Sequence, residues 1–257
     1  AWYFSERHAP LIQISLIGMI IIVFLGLYFS YTRAAWLSIG IALIVGLIIH
    51  FKVNFKILLF LASAACVFLF FQWDALQMEL ARNTHEHTTE AFDERIQSAA
   101  NVTTDASNLE RINRWNCAFS MFQQRPVFGY GPGTYAFEYA PFQEAKNLTI
   151  ISTNFGDMGN AHSEYLGALA EMGLIGLLLF IAMVAAIFYS AIQLFYNWPA
   201  EDHKTRIIIF GMILSLITYF SHAFLNNFLD TDKAAVPIWA MCSIIIVLDL
   251  ERRKRIQ

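Results

Sequence analysis

Six stretches of this chain come close to the roughly 20 apolar residues needed to cross a hydrocarbon layer ~30 Å thick. They are Leu11–Phe29, Ala34–Ile49, Ile57–Trp73, Gly173–Phe195, Ile207–Phe224 and Ala234–Leu248. Nothing else in the sequence limits the fold as strongly, because a segment inside lipid must satisfy its own backbone and the helix is the simplest way to do so. The fold class predicted is all-α, a polytopic membrane protein of about six spans. Composition agrees: 57% of the 257 residues are hydrophobic and 14% charged, against about 25% charged in soluble domains. The net charge of −3 argues against nucleic acid or an anionic surface as the main partner. Three cysteines, Cys66, Cys117 and Cys242, lack disulfide or zinc spacing.

The second stretch is short, so Arg33 or His50 is expected to snorkel at its end. Basic residues in the short segments set the orientation. Nine of them (Arg7, Lys52, Lys56, Lys204, Arg206, Arg252, Arg253, Lys254 and Arg255) fall on one face, and two, Arg33 and Lys233, on the other. Both ends of the chain are therefore expected in the cytoplasm. Arg33, the long polar insert, His162 and the "NNFLDTDKAAVP" loop would share the outer side. This divides the chain into three spans (1–73), an extracytoplasmic loop region (74–161) that is large and mainly helical, and three further spans with a basic tail (162–257). The opening residues lack the basic start and cleavage site of a signal peptide, so the chain is expected to be a piece of something longer.

Within the insert, "ERINRWNCAFSMFQQRP" predicts a helix that stops before Pro126, with Ile112, Trp115, Phe119 and Phe122 as its inward, apolar face. Arg111 and Arg114, three apart, occupy neighbouring positions; they could grip a diphosphate or form a solvated basic edge facing Glu110. "FGYGPG" has neither phosphate-loop nor dinucleotide spacing and is expected to be a tight turn. His85 and His87 lack further metal ligands. Asn226, Asn227, Asp230 and Asp232 are expected to cap the last span.

In "GNAHSEYLGALAEMG" Gly159 and Asn160 are expected to make a turn or cap, after which Ser163–Met172 continues as helix into the fourth span, with His162 in the helix's first turn. A helix amino end carries partial positive charge, which keeps an imidazole neutral and able to act as a base. The plainer alternative is an interfacial anchor. Glu164 and Glu171 can be first-turn acids favoured by the same dipole. Arg33 can hold a phosphate through a two-point fork or simply reach lipid headgroups.

Three stretches, "YTRAAW", "ERINRWNCAFSMFQQRPVFGYGPGTY" and "NAHSEYLGALAEMGLIGLLLF", in this order and around a large loop, resemble the bacterial O-antigen ligase and O-antigen polymerase superfamily. The resemblance runs from about Leu11 to Leu248, the carboxy-terminal half of a typical member. It implies a membrane glycosyltransferase of the bacterial inner membrane acting at the periplasmic face. Such an enzyme transfers a glycan from undecaprenyl diphosphate to lipid A core or a similar hydroxyl acceptor, with inversion and with no metal or other cofactor.

Carried over by residue, the resemblance implies catalytic roles for His162 as base and for Arg33 and Arg111 at the leaving diphosphate. Trp115 is the tryptophan four after the loop arginine, Arg114 is expected to assist, and Trp115, Arg114 and Glu164 complete the expected substrate-binding set. The partners implied are the lipid-linked donor, the acceptor and membrane lipids. Alternatives are an O-antigen polymerase, a protein O-oligosaccharyltransferase and, from another class, a transporter or flippase. A transporter would place its ionisable groups near mid-membrane.

Overall fold

A computed structural model describes residues 9–30, 32–54, 106–145, 148, 152 and 159–256, and every regular element among them is helical. The predicted span Ile57–Trp73, most of the insert before Ala106, Cys66, His85 and His87 lie outside the described residues. Seven α-helices follow one another: α1 Pro10–Phe29, α2 Arg33–His50, α3 Ala106–Gln124, α4 Tyr135–Glu138, α5 Glu164–Asn197, α6 His203–His222 and α7 Asp232–Ile256. A 3-10 turn, Ala140–Phe142, follows α4. By length and composition α1, α5, α6 and α7 can cross a membrane, and α2 is a shorter apolar helix, as its sequence predicted.

Local rules place the ends. Pro10 opens α1, where a missing N–H costs nothing. α3 stops two residues before Pro126. Ser163 caps α5, its Oγ accepting from Leu166 N at 3.4 Å, and Asp202 caps α6, accepting from Thr205 N at 3.1 Å.

Side-chain contacts fix which ends meet. Tyr165 Oη donates to the Phe220 carbonyl at 3.1 Å, so the start of α5 meets the end of α6. Tyr196 Oη donates to the Ile49 carbonyl at 2.9 Å, so the end of α5 meets the end of α2. α2 packs along α6 closely enough that a Cβ on Gly46 would stand 2.6 Å from Leu214 Cδ2. It follows that α2 begins, at Arg33, at the bundle end where α6 finishes and α5 starts. α7 runs back from that end, and its Ile238, Cys242 and Ile245 share a core with Val184, Ile187, Ile213 and Leu216. One end thus gathers Arg33, His162 and the loop after α6, and the other gathers Lys52, Lys204, Arg206, Arg252 and Arg253. α1 buries none of its residues.

α3 and α4 form a polar cap on the amino-terminal part of α5, around Cys117, Ala118, Met121, Tyr135, Tyr139, Ala161 and Ala170. Here the predicted apolar face is corrected. The buried side of α3 carries Glu110, Asn113, Arg114, Cys117, Ala118 and Met121, whereas Phe119 is 51% exposed. The reason is that the polar residues find their partners on this side, in the segment that follows α4: Glu110 with Ser152, Asn113 with Gln143 and Arg114 with the Tyr139 ring, while Cys117, Ala118 and Met121 pack with Ala170 of α5.

α5 is broken at Gly173 (φ 65°, ψ −164°), the residue at which the sequence starts its fourth span. Such a break leaves backbone groups that must find partners. The segment 126–131 supplies them. Leu174 N donates to the Pro126 carbonyl at 2.8 Å, while Gly131 N and Tyr130 N donate to the carbonyls of Glu171 (2.7 Å) and Ala170 (3.2 Å). The glycine-rich stretch, expected to be only a tight turn, is a strap seated in the helix break.

The Glu171 carboxylate completes the strap, accepting from Gly133 N at 2.9 Å and Tyr135 N at 3.0 Å. Glu171→Ala is therefore expected to release both amides, at a cost of about 2–3 kcal/mol. Faster hydrogen exchange at Gly133 and Tyr135, with the α5–α6 contacts unchanged, would register it.

Candidate active site

His162 stands one residue before the cap of α5, in the left-handed conformation (φ 48°). The expectation that it lies in the helix's first turn is corrected: Ser163 takes the cap, and the histidine ends the preceding turn. Asn160 makes that turn possible, its Oδ1 accepting the His162 N–H at 3.0 Å. Left-handed backbone at a non-glycine residue costs of order 1 kcal/mol or more and persists only where surrounding structure imposes it. Trp115 helps impose it, its Nε1 donating to the His162 carbonyl at 3.5 Å.

The imidazole is half-buried, and its pKa is pushed below the ordinary value near 6.5. Burial is the largest cause; the charges of Arg111 and Arg114 act the same way, and Glu110 opposes them. Desolvation and two guanidiniums, and not the helix dipole expected from the sequence, are what disfavour its charged form.

Arg114 is buried. Its Nε lies 2.6 Å from Glu110 Oε1, and its guanidinium sits 3.9 Å over the Tyr139 ring. Ser152 Oγ donates to the other oxygen of Glu110, and Tyr135 Oη donates to the Arg114 carbonyl at 2.7 Å. Gly159 completes the nest, since a Cβ there would overlap the Arg114 guanidinium and the Tyr139 ring. Of the two arginines, Arg114 is the one built into the cap. Arg111, one turn before Trp115 and half-buried, lies within electrostatic reach of both His162 and His222.

Glu164, the first residue of α5, accepts from Tyr219 Oη and from Leu229 N, both at 2.8 Å, and its own N–H donates to the Ala223 carbonyl at 3.0 Å. These bonds hold the loop after α6 against the His162 turn. In that loop Asn227 Nδ2 donates to Asp230 Oδ2 at 2.9 Å, a contact within the turn. Arg33 opens α2 at the same bundle end. A cleft of about 560 Å³ is lined by Asn160, Ser163 and Glu164 on either side of His162, with Glu171, Asn227 and Asp230 among its other walls; neither His162 nor Arg111 is among its described walls.

The structure thus brings Arg111, Arg114, Trp115 and His162 into one cluster, with Glu164 holding its far side. Glu110, which the sequence sets facing the arginines, pairs with Arg114 at a spacing of four. His222 was not singled out from sequence. It carries the signal of an ionisable residue ending an apolar helix; its ring stacks on Phe228 with centroids 5.5 Å apart. Tyr139 belongs to the aromatic run Tyr130, Tyr135, Phe137 and Tyr139, which the sequence offers either as a sugar-binding surface or as core of the insert; Tyr135 and Tyr139 are core and Phe137 is exposed. Cys117 is buried in the cap with its thiol pushed up to about 11 by desolvation, which makes it a packing residue and no nucleophile. Among the described residues no cluster of three or more metal-ligating side chains occurs.

Comparison with known proteins places this geometry. An uncharacterized protein of Haemophilus influenzae is 27% identical over 114 residues, covering 44% of this chain and 26% of the relative, so the match spans about a quarter of that protein's length. No solved structure matches significantly. The O-antigen ligase family model matches residues 18–181, a stretch that contains Arg33, α3, the strap, His162 and the break in α5, and on that match the chain belongs to the O-antigen ligase family.

Proposed function

We propose that the protein is a glycosyltransferase of the O-antigen ligase type, moving a glycan from undecaprenyl diphosphate onto a hydroxyl of lipid A core or a similar acceptor at the periplasmic face of the inner membrane. The observation that carries this reading is the half-buried imidazole of His162, set in an imposed turn within electrostatic reach of Arg111. In the proposed step the acceptor oxygen forms the bond to the anomeric carbon and its proton passes to the imidazole. The bond from that carbon to the diphosphate breaks on the opposite face, with inversion. Negative charge grows on the departing diphosphate, where Arg111 and Arg33 stabilise the transition state more than the ground state. Arg114, Trp115 and Glu164, engaged as they are with Glu110, the His162 carbonyl and the loop after α6, act as positioning residues.

The orientation proposed places the basic bundle end in the cytoplasm, with residues 74–161 and the His162 turn outside and the predicted six spans between. Its support is the segregation of Lys52, Lys204, Arg206, Arg252 and Arg253 at one end.

A cell-free assay of the full-length protein with lipid-linked glycan, defined acceptors and a chelator tests the reading. One glycan added per acceptor is expected, with the chelator without effect. Products lengthening by repeat units would indicate a polymerase, and no transfer at all would remove the proposal.

The acidic limb of the kcat/KM profile is expected below pH 6.5, because the base works unprotonated and its pKa is lowered. Arg111→Gln removes a positive charge that disfavours imidazolium, so it should move that limb to higher pH as well as slow transfer; Arg111→Lys should leave the limb in place. An unmoved limb in the glutamine variant would detach Arg111 from His162.

A further inference from the structure

At the bundle end away from His162, the end of α2, the end of α5 and the start of α6 enclose a cavity of about 570 Å³, within the range of small-ligand sites. His50, Lys52, His203 and Arg206 stand around it, and among the described residues no carboxylate lines it. Its remaining walls include Phe195, Phe210 and Leu214. Polarity follows depth: Lys52 and His203 belong to the helix ends, while Leu214 lies roughly 16 Å further along α6 at 1.5 Å per residue. The cations are already set against rings, Arg206 5.0 Å over Phe195 and Lys52 5.5 Å from the Tyr196 centroid.

A cavity with a cationic mouth and an apolar floor discriminates among occupants. A free anion would satisfy the cations and leave the aromatic walls wet. A zwitterionic lipid would fill the floor but bring its own ammonium against Lys52 and Arg206. We infer that this cavity binds an anionic phospholipid of the leaflet that meets this end of the bundle, its phosphate between Lys52 and Arg206 and the first part of an acyl chain along Phe210 and Leu214. Basic pockets between membrane helices serve this purpose through charge and fit together. The site is separate from the proposed glycan transfer and does not depend on it.

The test uses the full-length protein in detergent, titrated with phosphatidylglycerol or phosphatidylethanolamine and read by native mass spectrometry. Phosphatidylglycerol is expected to bind preferentially. The double variant Lys52→Gln, Arg206→Gln should lose roughly twenty-fold in its affinity, about fivefold for each cation removed. Gly211→Leu, which fills the floor and keeps every charge, should also weaken binding and so provides a second handle if the double variant does not fold. Equal binding of the two lipids overturns the inference, as does unchanged phosphatidylglycerol binding in either variant. Displacement by inorganic phosphate, with Gly211→Leu indifferent, would mark a free-anion site and overturn the lipid assignment.

Discussion

His162→Ala is expected to lower glycan transfer by about 10²–10⁴-fold, the usual contribution of a positioned general base, while the protein still inserts and folds. The two outcomes separate because the histidine's ring and its backbone do different work. The ring is the proton acceptor. The backbone closes the turn through Asn160 Oδ1 and Trp115 Nε1, and those bonds use the His162 N–H and carbonyl, which any residue retains. His162→Asn sharpens the comparison, since asparagine tolerates left-handed backbone better than alanine and should keep the turn while losing the base. Transfer rates in membranes from cells expressing equal amounts of each variant would decide it. Undiminished transfer by the asparagine variant would take His162 out of the mechanism.

The largest loss of stability is expected from Gly173→Ala. Backbone at φ 65°, ψ −164° is almost confined to glycine. A Cβ there would also overlap the Val127 carbonyl and stand 2.7 Å from Phe128 N, in the strap that fills the helix break. Gly129 (φ 66°) is its counterpart, lying so close to the Glu171 carbonyl that a Cβ would stand 2.6 Å from Met172 N. Conformational strain and overlap together should cost about 3–5 kcal/mol, enough to lower the apparent unfolding temperature of the detergent-solubilised protein sharply. Gly18→Ala, in an open stretch of α1 with nothing within 4 Å, is the control and should be neutral. A neutral Gly173→Ala would mean that the strap does not hold α5 in its broken form.

Hydropathy alone located α1, α2 and α6 to within a few residues and the apolar parts of α5 and α7, because in lipid a long apolar segment has few options besides a helix; α5 starts nine residues earlier and α7 ends eight later than the apolar stretches. Pro126 marked the end of α3 for an equally local reason. Cap and break needed more than the chain's own pattern. That the buried side of α3 is Glu110, Asn113 and Arg114, and the exposed side Phe119, was set by partners further along the chain, Ser152, Gln143 and Tyr139.

The candidate site divides in the same way. The family resemblance pointed to His162, Arg111 and Trp115, spacing alone left Arg114 open between a diphosphate grip and a solvated edge, and the placement of basic residues pointed to a shared bundle end for Arg33. Tertiary structure alone assigned the arginines their different places, Arg114 braced between Glu110 and Tyr139 and Arg111 beside two histidines. It alone turned "FGYGPG" into the filler of a helix break. The reason is physical: periodicity and helix ends depend on neighbours three or four residues away, whereas the ring under the Arg114 guanidinium and the acceptor of the Gly133 and Tyr135 amides lie far along the chain, and only packing brings them into contact.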